Sequence, residues 1–385
     1  MKKNIAKSLN EDAALAVKEI REQFADIIKD IRCITFFVSY KYDSNAMAAA
    51  IAKHFPDIEC FGATSNKEIA TNGVISSNSL VAFAFTSDLV EDFCIEVVEH
   101  LSSDIDVDVM EIVVNFERHY NNKLHDLSRT EYFGLAFMDF NSKAEEKLFD
   151  QLGDFTNVVF FGGTASDEWL FQNTGIYAQG KYYKNAAVIC LFKSKVKFGF
   201  EKIETITKTS EPLIVTKSDV GSKILYEIDG RPAAEVYCEV NGLDYEKLSE
   251  INGAHHYIDF QKHPVGLVIE GETFLRVVHG INKAEKSLIM VCNIHEGLPV
   301  HFYKTDNIVE RTRTQIENIQ KKYNNISCML TLVCSNVHED FKRESSMEEY
   351  ASLYDGIACA GFCTYGEYYT VPVNHTTTIL VFEKE

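Results

Sequence analysis

The chain has 385 residues, enough for two domains or for one large two-part domain. Its 57 acidic residues outnumber its 38 basic ones, so the formal net charge is −19. Because nucleic acids and anionic membrane surfaces are bound largely through lysine and arginine, this charge argues against both as partners.

The first thirty residues predict an N-terminal amphipathic helix, since charged and apolar residues alternate in MKKNIAKSLNEDAALAVKEIREQF. This segment lacks the continuous apolar stretch of a secretory signal, and no run in the chain approaches the roughly 18 apolar residues of a membrane span. We therefore expect a cytoplasmic protein without membrane insertion. The ten cysteines lie mostly in apolar runs and form no CxxC pair, which indicates buried thiols in a reducing compartment.

Three segments share a spacing in which a glycine is followed by five residues and then by glutamate: GATSNKE at 62–68, GGTASDE at 162–168 and GFCTYGE at 361–367. Each segment follows an apolar run, a helix pattern and a second apolar run, and each precedes a further apolar run. The repetition predicts an α/β fold in which strand-helix-strand units form two mixed-sheet modules. The two strands around each helix are expected to be parallel.

The helix in each copy has its own signals. Residues 44–55 have helical spacing of alanine, methionine and isoleucine before Pro56. A capping box at Ser142–Glu145 opens the second helix, which Gly153 can end. In the third copy, a helix opens at Ser345 and Ser346 and can close at Gly356.

The glycines of the three segments are predicted at strand ends, where open α/β sheets bind ligands. Hydroxyls and carboxylates follow each glycine, a set that suits a small polar molecule carrying an amine. An alternative is that each glycine only permits a turn and each glutamate starts the next segment in solvent. The candidate ligand-binding residues are Thr64, Ser65, Glu68, Gly162, Gly163, Thr164, Asp167, Glu168, Thr364, Tyr365 and Glu367. Among them, we expect Thr64 and Thr164 to hydrogen-bond the ligand and Glu168 with Glu367 to pair with its amine.

At these residues the sequence resembles the FIST domain proteins, which are described as intracellular sensory modules. FGATSNKEI is similar to a motif of the FIST N-terminal module, and FFGGTASDEWLFQNTGIYAQGKYYKNAAVICLF to its second block. Asp229-Gly-Arg-Pro-Ala233, with Glu235 and Tyr237, resembles the start of the C-terminal module, and GFCTYGE with NHTTTILVF its end. The resemblance runs from about Ile34 to Phe382. One departure is Cys334, which is followed by Ser and Asn where the family more often has an arginine shortly after.

The chain is expected to have three segments: the N-terminal helix (1–30) and two modules, 31–208 and 209–385, which the resemblance identifies as FIST N-terminal and FIST C-terminal. The junction is placed in KTSEP, because its polar residues and proline interrupt the apolar patterning. The resemblance implies a sensory protein that binds an amino acid or a similar metabolite and is not an enzyme. The signal would pass to a separate partner such as a histidine kinase, a cyclic-dinucleotide enzyme or a chemotaxis receptor.

An alternative implied by the family is a haem-binding sensor of nitric oxide. A b-type haem needs an axial ligand, and the chain has no CxxCH attachment sequence. Spacing does not choose among the candidate histidines, which are His255, His256, His263, His279 and His295. An enzyme is the third class considered, with Cys334, Ser39 or Cys363 as nucleophile, but none of them stands in a recognisable nucleophile elbow.

Several motifs fail on inspection. Gly175–Lys181 fits seven positions of a phosphate-binding loop, but Tyr182 occupies the eighth and a strand follows, so we predict a hairpin around Gln179-Gly180. The triple-aspartate segment 104–108 begins like a calcium loop but lacks the required glycine and the final glutamate. HEGLP at 295–299 and HEDFK at 338–342 lack the second histidine of a zinc protease.

Overall fold

The computed structural model describes residues 4–102, 109–251, 258–269, 271–369 and 371–384. The segment 104–108 and His255 and His256 lie outside the described residues. By contacts, the chain forms two compact units: the first holds the described residues of 1–203, 312–372 and 377–385, and the second those of 204–311 and 373–376. The first unit therefore draws on both ends of the chain. The boundary predicted between residues 208 and 209 stays a prediction about sequence modules.

The N-terminal segment begins with a strand that was not predicted, β1 (Ile5–Ser8), and continues as helix α1 (Ala13–Gln23). Asp12 caps this helix by accepting a hydrogen bond of 2.9 Å from the backbone N–H of Leu15. Of the helix predicted over residues 1–30, Ala13–Gln23 is helical.

The first two copies have the predicted order of elements. The first copy consists of β2 (Ile31–Ser39), α2 (Ser44–His54), β3 (Glu59–Ser65), β4 (Glu68–Ala70), β5 (Val74–Ser76), β6 (Leu80–Thr86) and β7 (Val90–Val98). Helix α3 (Met110–Tyr120) leads to the second copy, which consists of β8 (Tyr132–Met138), α4 (Glu145–Gly153), β9 (Phe160–Thr164), β10 (Ile176–Ala178), β11 (Lys181–Tyr183), β12 (Ala187–Ser194) and β13 (Phe198–Ile203).

The second unit lies between the second and third copies in the chain. Its core is apolar and includes the fully buried Tyr237 and Phe302. Its sheet has the order β19-β18-β22-β15-β16-β21-β20, with β14 on β22 and β17 on β16. The elements are β14 (Ile206–Lys208), β15 (Leu213–Asp219), β16 (Ile224–Ile228), β17 (Arg231–Pro232), α5 (Ala233–Asn241), α6 (Tyr245–Ser249), α7 (Ile258–Lys262), β18 (Val265–Ile269), β19 (Glu272–Arg276), β20 (Val278–Asn282), β21 (Ser287–Met290) and β22 (Pro299–Thr305).

The third copy follows helix α8 (Ile308–Lys322). It has two helices where one was predicted, because residues 335–343 form a helix that the sequence analysis did not predict. Its elements are β23 (Ile326–Cys334), α9 (Ser335–Arg343), α10 (Met347–Ser352), β24 (Cys359–Thr364), β25 (Glu367–Tyr369), β26 (Val371–Val373) and β27 (Thr377–Glu383). The predicted α/β class with mixed sheets is confirmed.

Of two local features predicted from the sequence, a hairpin turn is confirmed and a helix capping box is wrong. Gln179 and Gly180 both have positive φ, 49° and 72°, and join β10 to β11 in the predicted hairpin. The predicted capping box at Ser142 is wrong. Helix α4 begins at Glu145 with Ala144 before it, and the Ser142 hydroxyl instead donates to the Asp139 carbonyl at 2.7 Å, within a short 3-10 turn.

The first unit contains three six-stranded sheets, one built on each copy. Their orders are β1-β6-β2-β3-β10-β11 for the first sheet, β7-β12-β8-β9-β25-β26 for the second and β13-β27-β23-β24-β4-β5 for the third. In each sheet the two strands around the helix are parallel, as predicted: β2 with β3, β8 with β9 and β23 with β24.

The sheets also exchange strands cyclically. The hairpin β10–β11 of the second copy joins the first sheet, β25–β26 of the third copy joins the second sheet, and β4–β5 of the first copy joins the third sheet. The edge strands are exchanged in the opposite direction: β7 of the first copy joins the second sheet, and β13, at the end of the second copy, joins the third sheet. The corresponding edge of the first sheet is formed by β1. The three copies are therefore interlocked and cannot separate as independent domains.

Phenylalanines from the three sheets meet in a common core. Phe37, Phe137 and Phe362 come from one sheet each, and their ring centroids lie 5.1–5.8 Å apart. Aromatic pairs at this spacing add stability beyond the burial of their surface. Because the core is shared, it fixes how the strand ends of the three copies lie together. Among the helices of the described segments, none has the length and apolar character needed to cross a membrane.

Candidate functional site

The glycine of each Gly-x5-Glu segment lies opposite a residue of the neighbouring parallel strand. Gly62 pairs with Phe36, and a Cβ on Gly62 would fall on the Phe36 carbonyl oxygen. Gly162 has the same relation to Ala136 and Gly361 to Thr331. The close approach of two strands therefore requires all three glycines, irrespective of any ligand. Contact of a ligand with Gly162 or Gly163 stays a prediction.

The loops after the three glycine-bearing strands come together, as the repeat predicts; residues 64–68, 164–168 and 363–367 form what we call the strand-end cluster. The backbone N–H of Ser166 donates to the Thr64 carbonyl at 3.0 Å, and that of Cys363 donates to the Lys67 carbonyl at 2.9 Å. The Ser166 hydroxyl donates to the Cys363 carbonyl and accepts from the backbone N–H of Asn66. One serine thus links all three copies.

Most of the predicted ligand-binding residues are buried in or next to this cluster, and their threonine hydroxyls bond to the backbone of its loops and of Gly175. The Thr64 hydroxyl bonds to the backbone of Gly175, and the hydroxyls of Thr164 and Thr364 both donate to the Gly366 carbonyl. These bonds fix the loops, and direct contact of the threonines with a ligand stays a prediction. The buried members are Thr64, Ser65, Glu68, Gly162, Gly163, Thr164, Asp167, Thr364, Tyr365 and Glu367, whereas Glu168 is exposed.

Glu68 is a fully buried carboxyl within the cluster. The hydroxyls of Ser65 and Ser79 donate to its two oxygens, and the Ser79 backbone N–H donates at 3.2 Å. Burial disfavours the charged form and raises the pKa of Glu68 to about 7, although these hydrogen bonds and Lys67 act in the opposite direction. Glu68 is therefore placed to change charge near neutral pH.

The strand pairing aligns the three copies differently from the Gly-x5-Glu spacing. Glu68 begins β4, which pairs with the glycine-bearing strand β24 of the third copy, and lies opposite Phe362. Glu367 begins β25, which pairs with the glycine-bearing strand β9 of the second copy, and lies opposite Gly163. The matching residue of the second copy is Ile176, opposite Ala63. Glu168 is therefore not the counterpart of the other two glutamates. It lies in an insertion, residues 167–175, which we call the Asp167 loop.

The Asp167 loop is organised by the carboxylate of Asp167, which is fully buried. Its oxygens accept hydrogen bonds of 2.7–2.9 Å from the backbone N–H groups of Phe171, Gln172 and Asn173 and from the Tyr365 hydroxyl. The loop holds three non-glycine residues at positive φ: Glu168 at 59°, Trp169 at 67° and Phe171 at 55°. Such strain persists only where surrounding contacts over-determine the conformation, and it is frequent at ligand sites.

The strained loop presents one charged pair at the surface. Glu168 Oε1 lies 3.2 Å from the Lys67 ammonium of the first copy, and Oε2 accepts from the Tyr40 hydroxyl at 3.2 Å. Partial burial would raise the pKa of Glu168, but Lys67 and Tyr40 outweigh it and the pKa is lowered. Trp169 stacks on Tyr365 beside this pair, with centroids 4.9 Å apart. Sequence analysis missed Lys67 and Tyr40, although Lys67 lies within the first Gly-x5-Glu segment.

Replacing Asp167 by asparagine should loosen this loop. The amide offers one acceptor oxygen in place of two, so buried N–H groups lose their partner, and we expect a loss of about 2–3 kcal/mol in the free energy of unfolding. Trp169 is the sole tryptophan of the chain, so its emission should also shift to the red. Urea denaturation followed by fluorescence measures both effects. The exposed Asp57→Asn is the control, and an equal response of the two variants would refute the role of Asp167.

The candidate nucleophiles have little reactivity in this setting. Ser39, Cys334 and Cys363 are all buried, and burial raises the pKa of the Cys363 thiol well above its usual range. Within the described segments, no three His, Cys, Asp or Glu side chains are grouped closely enough to hold a metal ion.

The described candidate histidines for haem all lie in the second unit. Of these, His295 is exposed and His263 is half-buried, with Nδ1 2.7 Å from the Asp259 carbonyl. With Nδ1 bonded in this way, Nε2 of His263 is the ring nitrogen that a metal would use. Haem binding stays a prediction.

Two family models match the chain in succession, the FIST N domain over residues 32–231 and the FIST C domain over residues 233–370. The chain belongs to the FIST family. The resemblance carried by the Gly-x5-Glu segments is thereby confirmed. FIST domains are in general sensory domains that bind small ligands in signalling proteins. In this FIST protein, the strand-end cluster joins parts of both matched domains.

An uncharacterised protein of Methanocaldococcus jannaschii is 27% identical to this FIST protein over 204 residues, 49% of this chain. The matched part spans 38% of the relative's length. Among solved structures, PurLQS from Thermotoga maritima aligns with 99% of this chain and 72% of its own, at 9% identity and a TM-score of 0.18. That likeness is too weak to support any inference.

Proposed function

We propose that this FIST protein is a cytoplasmic sensor of an amino acid or a similar zwitterionic metabolite, bound at the exposed edge of the strand-end cluster. The observation that carries the proposal is the pair formed by Lys67 and Glu168, which come from different copies and lie 3.2 Å apart. A zwitterion offers the complementary charges, its carboxylate to Lys67 and its amine to Glu168.

The surroundings of this pair support ligand binding. The Lys67 side chain is only 16% exposed, so its charge is partly desolvated and an anionic partner gains more than at an open surface. The Tyr40 hydroxyl can bond the ligand, and the Trp169 ring offers an apolar wall for its side chain. The buried members of the predicted set hold the loops in place, which preorganises the exposed edge.

The signal is proposed to leave through the Asp167 loop. A ligand that bridges Lys67 and Glu168 favours the conformation in which the loop is closed on Tyr365, so it shifts the population toward that state. A separate partner then recognises the closed loop; a histidine kinase, a cyclic-dinucleotide enzyme or a chemotaxis receptor would serve. No catalytic step is proposed.

A thermal-shift panel tests this function. The free amino acids, small carboxylates and hemin are added separately to the wild-type protein, and the absorption spectrum is recorded with each. A ligand at a hundredfold its Kd should stabilise the fold by about 2.7 kcal/mol. Stabilisation by an amino acid without a Soret band supports the proposal. A Soret band that nitric oxide alters, with no amino-acid response, replaces it with the haem alternative.

The variant Glu168→Gln should weaken the amino-acid response at least tenfold in apparent Kd, because the ligand amine loses its charged partner. The matched control is Glu91→Gln, which breaks an exposed ion pair with Lys193 (3.0 Å) away from the strand-end cluster. An unchanged response in Glu168→Gln would refute the assignment of the site.

A further inference from the structure

A cavity of about 880 Å³ lies in the first unit, apart from the residues assigned to the ligand site. It is lined by β1, by the β4–β5 turn, by the residues that start β23 and precede β24, and by the end of β27. The starts of β23 and β24 are the opposite ends of these strands from the strand-end cluster, whereas Lys7 of β1 is within reach of the charge of Glu68. The volume falls within the usual range of about 300–1,000 Å³ for small-molecule sites.

The cavity lies at the edge of the first sheet, where the cyclic exchange of strands is least complete. In the second sheet the edge strand β7 places Phe93 opposite Phe192, and in the third sheet β13 places Phe198 opposite Phe382. The matching residue of the first sheet is Phe85, whose partner in the register of β1 would precede Asn4 and so lies outside the described residues. Strand β1 is also short, with four residues against nine in β7 and six in β13, and its residues line the cavity.

The apolar part of the lining comes from several elements. Ile5 and Ala6 belong to β1. Leu89 lies between β6 and β7, and Val196 lies between β12 and β13. Cys328 belongs to β23, and Ala358 directly precedes β24. An apolar ligand body placed here would remove this surface from water, which favours binding by roughly 25 cal/mol for each Å² buried.

One lysine gives the cavity its polarity. Lys7 lies on the lining and is half-buried, and in the described part of the chain its ammonium forms no side-chain hydrogen bond or ion pair. Burial lowers the pKa of Lys7, and the charge of Glu68 acts in the opposite direction. The side-chain amide of Gln23 donates to the Lys7 carbonyl at 2.8 Å and accepts from the Lys7 backbone N–H at 3.1 Å, and so holds the backbone of the lysine in place.

The other charged lining groups are less suited to hold an anion or to compete for Lys7. Lys384 and Asp88 are exposed, and Glu383 accepts a hydrogen bond of 3.1 Å from the Asn324 backbone. The half-buried ammonium is therefore the strongest local attraction for a negative group.

We infer that this cavity is a second ligand site, which binds an amphipathic monocarboxylate with its apolar chain against the lining and its carboxylate on Lys7. The inference is separate from the zwitterion site, because none of the residues proposed to bind the zwitterion lines the cavity. The two sites can therefore fail independently.

Sodium decanoate, kept below its micellar concentration, and decanol are the probes. For the wild-type protein we expect decanoate to raise the Tm in a saturable way and to bind at least tenfold more tightly than decanol. Lys7→Met should abolish this preference for the carboxylate, while the exposed Lys53→Met keeps it. Retention of the preference in Lys7→Met, or no saturable response of the wild type, would overturn the inference.

A second variant guards against a change in folding. Ala358→Phe places a ring in the cavity and should abolish decanoate binding; because Ala358 also packs against the common core, the Tm of the free variant is measured alongside to show that it folds. The response to the zwitterion, which Glu168→Gln should weaken, should persist in both cavity variants. Undiminished decanoate binding in Ala358→Phe would place the probe elsewhere and contradict the inference.

Discussion

Replacing Gly162 by alanine is expected to lower the free energy of unfolding by about 4 kcal/mol or more, enough to unfold many domains. The added Cβ would fall on the Ala136 carbonyl oxygen of the neighbouring strand, and backbone cannot move aside as a flexible side chain can. Gly62→Ala and Gly361→Ala should behave alike, because their Cβ atoms would meet the same group in the other two sheets. Urea denaturation of each variant measures the loss.

Gly153→Ala is the matched control for these glycines. Gly153 ends helix α4, and a Cβ there meets no atom within 4 Å. Alanine is the better helix former, so the variant should be unchanged or more stable by up to about 1 kcal/mol. A similar small effect at Gly162 would contradict the close approach of the strands.

The titration of Glu68 is expected to make the protein less stable as the pH rises from about 5 to 8. The pKa of Glu68 is about 7 in the folded protein against an ordinary value of 4.5. Between these values the folded protein keeps a proton that the unfolded chain has released, so raising the pH favours unfolding. The difference corresponds to about 3 kcal/mol at most.

Glu68→Gln isolates this contribution, since the amide has a similar shape and does not titrate. Unfolding free energies of wild type and variant, measured by urea denaturation at several pH values, should converge toward pH 5. They should diverge in favour of the variant toward pH 8. Parallel curves for the two proteins would show that Glu68 does not titrate in this range.

The sequence was sufficient to predict the repeated units because each unit carries local signals. Alternating apolar runs, helical spacing in 44–55 and the Gln179-Gly180 turn all depend on residues close in the chain. The exchange of hairpins between sheets depends on contacts between distant residues, and no local pattern encodes which sheet receives β4–β5 or β25–β26. Strand β1 was missed because IAKS is short and precedes a helix pattern.

The candidate site was predicted in part for a related reason. The Gly-x5-Glu spacing made Glu168 the counterpart of Glu68 and Glu367. Because the Asp167 loop is inserted in the second copy, the residue that pairs in the corresponding position is Ile176. The glycines were predicted at strand ends, but the neighbouring strand explains them without a ligand. Lys67 and Tyr40 acquire their place only when two copies fold against each other, so sequence reasoning could not bring them together with Glu168.

The emission of Trp169 tests the central claim most directly, because this sole tryptophan stacks beside the Lys67–Glu168 pair. The amino acid that most stabilises the protein is titrated while Trp169 fluorescence is recorded, in the wild type and in Glu168→Gln. The strand-end site predicts a saturable change in emission with the same Kd as the thermal stabilisation, and its loss in the variant. Thermal stabilisation with no change in Trp169 emission would contradict it and would place the ligand elsewhere in the protein.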